Sequence, residues 1–114
     1  MGPKEVAKLM LEKKATDVKI FDVKKITTMT DYFIICSSNS EPQTKAITSN
    51  IEKTMKKKGI KPISIEGQNK AEWVLMDYIT FIIHVFRNDK RQFYDLDRLW
   101  ADAKITHIQD ENEK

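Results

Sequence analysis

The stretch WVLMDYITFIIHVF (73–86) constrains the fold of this chain more than any other segment. It is apolar almost throughout and carries one acid, Asp77, and one histidine, His84. Apolar runs of this length and alternation predict two β-strands joined by a tight hairpin near Tyr78. Because apolar surface of this size is costly to leave in water, these strands need cover from the chain itself or from a partner.

The segment that follows, RQFYDLDRLWADA (91–103), has apolar side chains at helical spacing. This spacing predicts one C-terminal helix, and Asp89 is available as its N-cap. We expect four of its apolar side chains to hold the helix against the core: Phe93, Leu96, Leu99 and Trp100.

The rest of the chain predicts a single α/β (α+β) domain in which helices flank a mixed β-sheet. The predicted elements are a helix at 3–14, strands at 16–23 and 31–37, a helix from Ser40 to Gly59, and a weak edge strand at 60–66. Ser40 followed by Gln43 forms a capping box, and Gly59 supplies the helix stop. We place the domain at residues 1–108 and a polar tail at 109–114.

Composition describes an ordinary globular protein and excludes several classes. The chain has 114 residues, 40% of them hydrophobic and 32% charged, with a net charge of +3. No apolar run reaches the roughly 20 residues of a membrane span, and the N-terminus has no secretory core. The single cysteine, Cys36, fits a reducing compartment, so we expect a cytoplasmic protein. The weak charge and the lack of a basic-aromatic stripe disfavour direct nucleic-acid binding.

Nucleophilic and metal chemistry find little support in the residue pattern. Cys36 lies inside an apolar strand, where burial suppresses thiolate formation. His84 and His107 are far apart in sequence and lack clustered ligand partners, so the sequence predicts no metal site and no cofactor. His84 shares a strand face with Ile82 and Phe86, which is typical of a satisfied structural or interface histidine.

Three strand-associated acids leave one enzymatic alternative open. Asp22, Asp31 and Asp77 could in principle converge on a divalent ion, as a metal-dependent nucleotidyltransferase requires. That chemistry also needs two acids alternating on one strand and a glycine-containing phosphate turn. The 73–77 strand supplies one acid, and the SSNS turn (37–40) has no glycine, so we expect a protein that is not an enzyme.

Strand alternation places Trp73, Leu75 and Asp77 on one face of their strand. If that face is exposed, a Trp-Leu pair beside an acid forms an interaction patch. The pattern alone leaves open whether these side chains belong to the core or to a partner interface.

The chain resembles the ribosomal silencing factor family, also called the RsfS or Iojap family. Five motifs carry the resemblance, in order and over nearly the whole domain: DVKIFDVK (17–24), TDYFIICSSNS (30–40), EWVLMDY (72–78), IIHVF (82–86) and RQFYDLDRLWADA (91–103). The resemblance implies a nucleotidyltransferase-like fold without the catalytic acids. Two departures are small: the usual glycine-containing turn reads SSNS, and the usual LExLW reads LDRLW, where Asp97 could alter one salt bridge.

The resemblance also implies a function. Family members bind the large ribosomal subunit at its L-fourteen protein, block joining of the small subunit, and lower translation when nutrients are scarce. They tend to form homodimers when isolated. Carried over by position, the residues expected to meet the ribosomal protein are Trp73, Leu75 and Asp77, with Arg91 and Tyr94 as weaker candidates.

Overall fold

The computed structural model describes residues 2–109, which build a six-stranded sheet with helices on both faces. The elements in chain order are α1 (Pro3–Glu12), β1 (Thr16–Asp22), β2 (Tyr32–Ser38), α2 (Glu41–Lys57), β3 (Ser64–Glu66), β4 (Trp73–Asp77), β5 (Phe81–Arg87), α3 (Asn88–Tyr94), α4 (Leu96–Leu99) and β6 (Lys104–Ile108). The strand order is β3-β4-β5-β2-β1-β6, and only the central β2–β5 pair is parallel. The predicted mixed sheet is therefore confirmed.

The two central strands are buried on both faces, as their continuous apolar runs predict. Every residue of β2 after Tyr32 is buried, and so is every residue of β5 before Arg87. The hairpin predicted near Tyr78 joins β4 to β5, where the Tyr78 amide donates to the Phe81 carbonyl. The weak strand before Gly67 is short and lies at the sheet edge, as expected.

One sheet face, here called the covered face, packs against α1 and α2. The α2 helix begins at the predicted cap, where the Gln43 amide donates to Ser40 Oγ over 3.2 Å. The Gln43 side chain returns to accept from the Asn39 amide at 2.7 Å, one residue earlier than in the standard capping box. Past the helix C-terminus, Gly59 takes a φ of +77°, a left-handed conformation that glycine adopts at low cost.

The other sheet face, here called the open face, is covered only in part by α3 and α4. The prediction of one helix at 91–103 is wrong, because the chain breaks at Asp95, which takes a φ of 52°. Arg87, not Asp89, is the N-cap of α3, and Asp89 instead accepts two hydrogen bonds from the Arg87 side chain. The break lets the chain bend over the sheet instead of leaving it as a straight rod.

The bend also changes which aromatic and leucine side chains reach the core. Leu96 and Trp100 pack against the open face, but Phe93 is 77% exposed and Leu99 is 70% exposed. The expectation that Phe93 and Leu99 lie in the core is therefore wrong. A continuous helix would have kept all four on one stripe, whereas the left-handed Asp95 divides the segment into two short helices.

The sixth strand was not predicted from the sequence. β6 pairs antiparallel with β1 at the sheet edge, in the register Val18 to Ile108. Its side chains are exposed or half-buried, so it lacks the apolar signal that identifies a strand. The polar tail predicted at 109–114 lies outside the described residues except for Gln109.

Candidate functional site

Three of the predicted site residues lie together on the open face. Trp73, Leu75 and Asp77 alternate along β4 with the buried Val74 and Met76, and each of the three is half-buried. Trp73 and Leu75 border an apolar cluster on the open face that includes Phe33, Ile35, Ile82 and Phe86. The alternation predicted from the sequence is confirmed, and α3 and α4 leave this end of the open face incompletely covered.

Trp73 is held in place by aromatic neighbours on two elements. Its ring stacks on Phe86 of β5 at 4.9 Å between centroids, and Tyr94 of α3 lies 4.7 Å away on a tilted plane. Tyr94 is 48% exposed, so it extends the aromatic surface outward from the sheet. The structure thus brings the predicted residue Tyr94 next to Trp73 and gives both rings a fixed position.

His84 fixes the indole of Trp73 by a hydrogen bond. Trp73 Nε1 donates to His84 Nδ1 over 3.0 Å between neighbouring strands. His84 is 5% exposed, and burial lowers its pKa to about 4, so the ring is neutral at pH 7. This arrangement agrees with the prediction of a structural or interface histidine.

Asp77 presents a carboxylate at the end of β4, beside the hairpin. Its Oδ1 accepts from the Ile79 amide at 2.9 Å, whereas Oδ2 makes no hydrogen bond or ion pair with the residues in 2–109. The neighbouring Ile63 and Ile79 side chains are 65% and 62% exposed. The result is an acid with one oxygen that the described residues do not use, close in the fold to two exposed apolar residues.

Arg91 lies deeper than the other predicted site residues. Its guanidinium makes a bidentate pair with Asp97, at 3.1 and 2.9 Å, and donates to Ser37 Oγ at 3.0 Å. The residue is 6% exposed. Arg91 therefore connects α3 and α4 to the end of the sheet. Arg91 was also predicted to bind the partner, but little of its surface is exposed for such a contact.

A shallow groove of about 410 Å³ adjoins Trp73 and Tyr94. The turn after β3 forms its other wall, and Gly67 in that turn takes a φ of +85°. A Cβ at Gly67 would lie 2.0 Å from the Trp73 carbonyl oxygen, so only glycine lets the turn pack this closely on β4. The groove extends the aromatic surface toward the β3 edge.

The groups considered for catalysis do not assemble in the described residues. Cys36 is fully buried, and burial raises the pKa of its thiol to about 12. Within residues 2–109 no three acids, histidines or cysteines come together to hold a metal ion, and so Asp22, Asp31 and Asp77 do not form a triad.

Among the helices of residues 2–109, none is long and apolar enough to cross a membrane.

Two features of the site were missed in the sequence. One is the bond from Trp73 to His84, for which the shared strand face was the available signal. The other is the ion cluster in which Asp97 pairs with both Arg91 and Lys19. Lys19 and Asp97 are 78 positions apart, so no local pattern indicates their contact.

Comparison with known proteins gives the same family as the motifs. The family model described as "Ribosomal silencing factor during starvation" matches residues 3–114. The ribosomal silencing factor RsfS of Halalkalibacterium halodurans is 38% identical over 98 residues, covering 86% of this chain and 84% of that protein. A mouse protein named "Mitochondrial assembly of ribosomal large subunit protein 1" is 27% identical over 82% of this chain and 42% of its own length.

Solved structures agree with this assignment. A crystal structure of a Chromobacterium violaceum protein superposes with a TM-score of 0.79 at 27% identity, covering 99% of this chain and 98% of that one. The chain belongs to the ribosomal silencing factor family.

Proposed function

We propose that this protein binds the large ribosomal subunit through its L-fourteen protein, blocks joining of the small subunit, and represses translation when nutrients are limiting. The observation that carries the proposal is the half-buried Trp73–Leu75 pair with Asp77 beside it on the open face. Family membership supports the silencing role, and the name of the mouse relative supports a large-subunit partner. No chemical step is needed, because occupying a surface that the small subunit uses is sufficient. In this proposal the protein is not an enzyme and acts in the cytoplasm.

The chemistry of the open face suits a protein partner with a basic surface. Trp73 and Tyr94 offer rigid aromatic area that gains free energy when a partner removes it from water. Asp77 Oδ2 can accept from a lysine or arginine of that partner, since it makes no bond within the described residues. An apolar centre with a charged rim is the usual arrangement of such interfaces.

The test is co-sedimentation of the purified protein with isolated large subunits, followed by a subunit-joining assay on sucrose gradients. We expect Trp73→Ala to weaken binding about 10-fold or more, as expected of an aromatic residue central to an interface. Asp77→Asn keeps the oxygen that accepts from the Ile79 amide and removes only the charge, so its effect reports on a basic partner. Asp77→Lys should weaken binding further.

A matched control reverses a charge on the other side of the sheet. Glu12→Lys changes an exposed acid at the end of α1, which packs on the covered face. It should bind as tightly as the unmodified protein, and all variants should keep the same far-UV circular dichroism. If Trp73→Ala and Asp77→Lys fold normally and bind at full strength, the open face is not the interface.

The exposed apolar side chains also support self-association of the free protein, as the family resemblance suggests. Phe93, Leu99 and Ile79 are each more than half exposed. Sedimentation equilibrium of the isolated protein would measure this, and a purely monomeric species at micromolar concentration would contradict it.

A further inference from the structure

His84 carries a hydrogen-bond donor on the open face that the fold itself does not use. Its Nδ1 accepts the indole N–H of Trp73, so Nδ1 bears no proton. In a neutral imidazole the proton then resides on Nε2, which becomes a donor. The N–H of Trp73 is used in this bond, so the remaining indole surface is apolar. The free hydrogen-bond donor at this place is the Nε2–H of His84.

The Nε2 atom has no hydrogen-bond partner among residues 2–109. Within these residues, the side-chain polar atom that is both fully buried and unpartnered is the Tyr78 hydroxyl. His84 Nε2 also has no partner, but it is not one of the fully buried atoms. It therefore keeps some contact with solvent, although His84 as a whole is only 5% exposed. The donor thus belongs to a nearly buried side chain of the open face.

The side chains that neighbour His84 on the open face are apolar. Leu75 lies opposite His84 on β4 and Ile35 lies opposite it on β2. The rings of Phe33 and Phe86 are 5.4 and 6.1 Å from the imidazole. A protein that covers this face excludes solvent from Nε2, and a buried donor without an acceptor costs free energy.

We propose that His84 Nε2 donates a hydrogen bond to a carbonyl oxygen of the protein that docks on the open face. A carbonyl fits better than a carboxylate, because a second negative charge would meet Asp77 on the same strand face and would be buried among apolar groups. His84 is thus a specificity-determining residue, which selects a partner with an acceptor at this point. This inference rests on the proposed function.

The experiment is a double-mutant cycle with isolated large subunits from the source organism, read by co-sedimentation. His84→Met removes both the acceptor and the donor, whereas His84→Gln keeps one of each. Both changes are made in the unmodified protein and in Trp73→Phe, which has no indole N–H to orient. Urea unfolding of every variant separates loss of binding from loss of folding.

We expect His84→Met to weaken binding about 5- to 30-fold in both backgrounds, and His84→Gln to stay within about 3-fold, as the loss of one buried hydrogen bond predicts. If His84→Met has no effect in the Trp73→Phe background, His84 acts only by orienting Trp73 and the inference is overturned. If His84→Met leaves the affinity of each background unchanged, the inference is overturned as well.

A second variant guards against misfolding of His84→Met. Incorporation of histidine methylated on Nε2 at position 84 leaves Nδ1 to accept from Trp73 and replaces the donor with a methyl group. Weaker binding with unchanged stability supports the inference, and unchanged binding contradicts it. Failure of the unmodified protein to bind large subunits would instead contradict the proposed function, so the two failures are distinguishable.

Discussion

Arg91 and Asp97 face each other across the break between α3 and α4 and pair through two parallel hydrogen bonds. Nε donates to Oδ1 at 3.1 Å and Nη2 donates to Oδ2 at 2.9 Å. Lys19 of β1 adds a third bond to Asp97 at 3.0 Å. Since these bonds cross from helix to helix and from helix to sheet, the pair fixes the segment that partly covers the open face.

Asp97→Asn should therefore destabilise the protein by about 2 kcal/mol, because it leaves a buried guanidinium without its full counter-charge. Urea unfolding measures this loss. Asp102→Asn is the matched control, since Asp102 is exposed and makes no ion pair or side-chain hydrogen bond with the described residues. Equal effects of the two substitutions would show that the pair does not stabilise the fold.

The central part of the sheet was predictable because its signals are local. Continuous apolar runs identified β2 and β5, and Ser40 with Gln43 identified the start of α2. Trp73, Leu75 and Asp77 were placed on one face by alternation alone. These predictions depend on one strand or one helix end at a time, and short-range chemistry dictates them.

The C-terminal segment was mispredicted because tertiary contacts override its local pattern. RQFYDLDRLW reads as one helix, but Asp95 takes a left-handed conformation that costs a non-glycine residue free energy. The Arg91–Asp97 pair and the packing of Leu96 and Trp100 on the sheet offset that cost. β6 was missed for a related reason, since it is held by pairing with β1 and not by apolar alternation.

Phe93 is exposed and Leu96 packs on the sheet, so the two side chains should contribute differently to stability. Phe93→Ser should change the free energy of unfolding by less than about 0.5 kcal/mol, as is usual for exposed positions. Leu96→Ser should cost more, because Leu96 packs against the apolar cluster of the open face. Thermal unfolding of the two variants decides the point, and a larger loss for Phe93→Ser would contradict the exposed position of its ring.

The pKa of two side chains predicts how stability depends on pH. Burial lowers the pKa of His84 to about 4 from 6.5, and hydrogen bonds from Arg91 and Lys19 outweigh burial to lower the pKa of Asp97 to about 2 from 3.8. When folding lowers a pKa, the unfolded chain binds the proton more readily than the folded protein. The resulting stabilisation is fully present above the pKa of the unfolded chain and is lost as pH falls to the pKa of the folded protein. Stability should thus fall between pH 6.5 and 4 through His84, and between pH 3.8 and 2 through Asp97.

The His84 contribution is the larger of the two in free energy. Its shift corresponds to about 3 kcal/mol of differential interaction between the charged and neutral ring. In His84→Gln, urea unfolding at a series of pH values should show a shallower decrease between pH 6.5 and 4, with the lower phase unchanged. An identical pH profile for His84→Gln and the unmodified protein would show that His84 does not titrate on unfolding.

The two glycines with positive φ, Gly59 and Gly67, differ in how closely they pack, and Gly67 borders the groove beside Trp73. Gly59 and Gly67 both have positive φ, so alanine at either position costs about 1 kcal/mol in backbone strain. At Gly59 a Cβ meets nothing within 4 Å, whereas at Gly67 it would lie 2.0 Å from the Trp73 carbonyl oxygen. Gly67→Ala should therefore destabilise the protein more than Gly59→Ala in urea unfolding. The turn that Gly67→Ala displaces packs on the strand that carries Trp73. Gly67→Ala should therefore also weaken large-subunit binding, whereas Gly59→Ala should not. Equal binding by the two variants would show that the groove is not part of the interface.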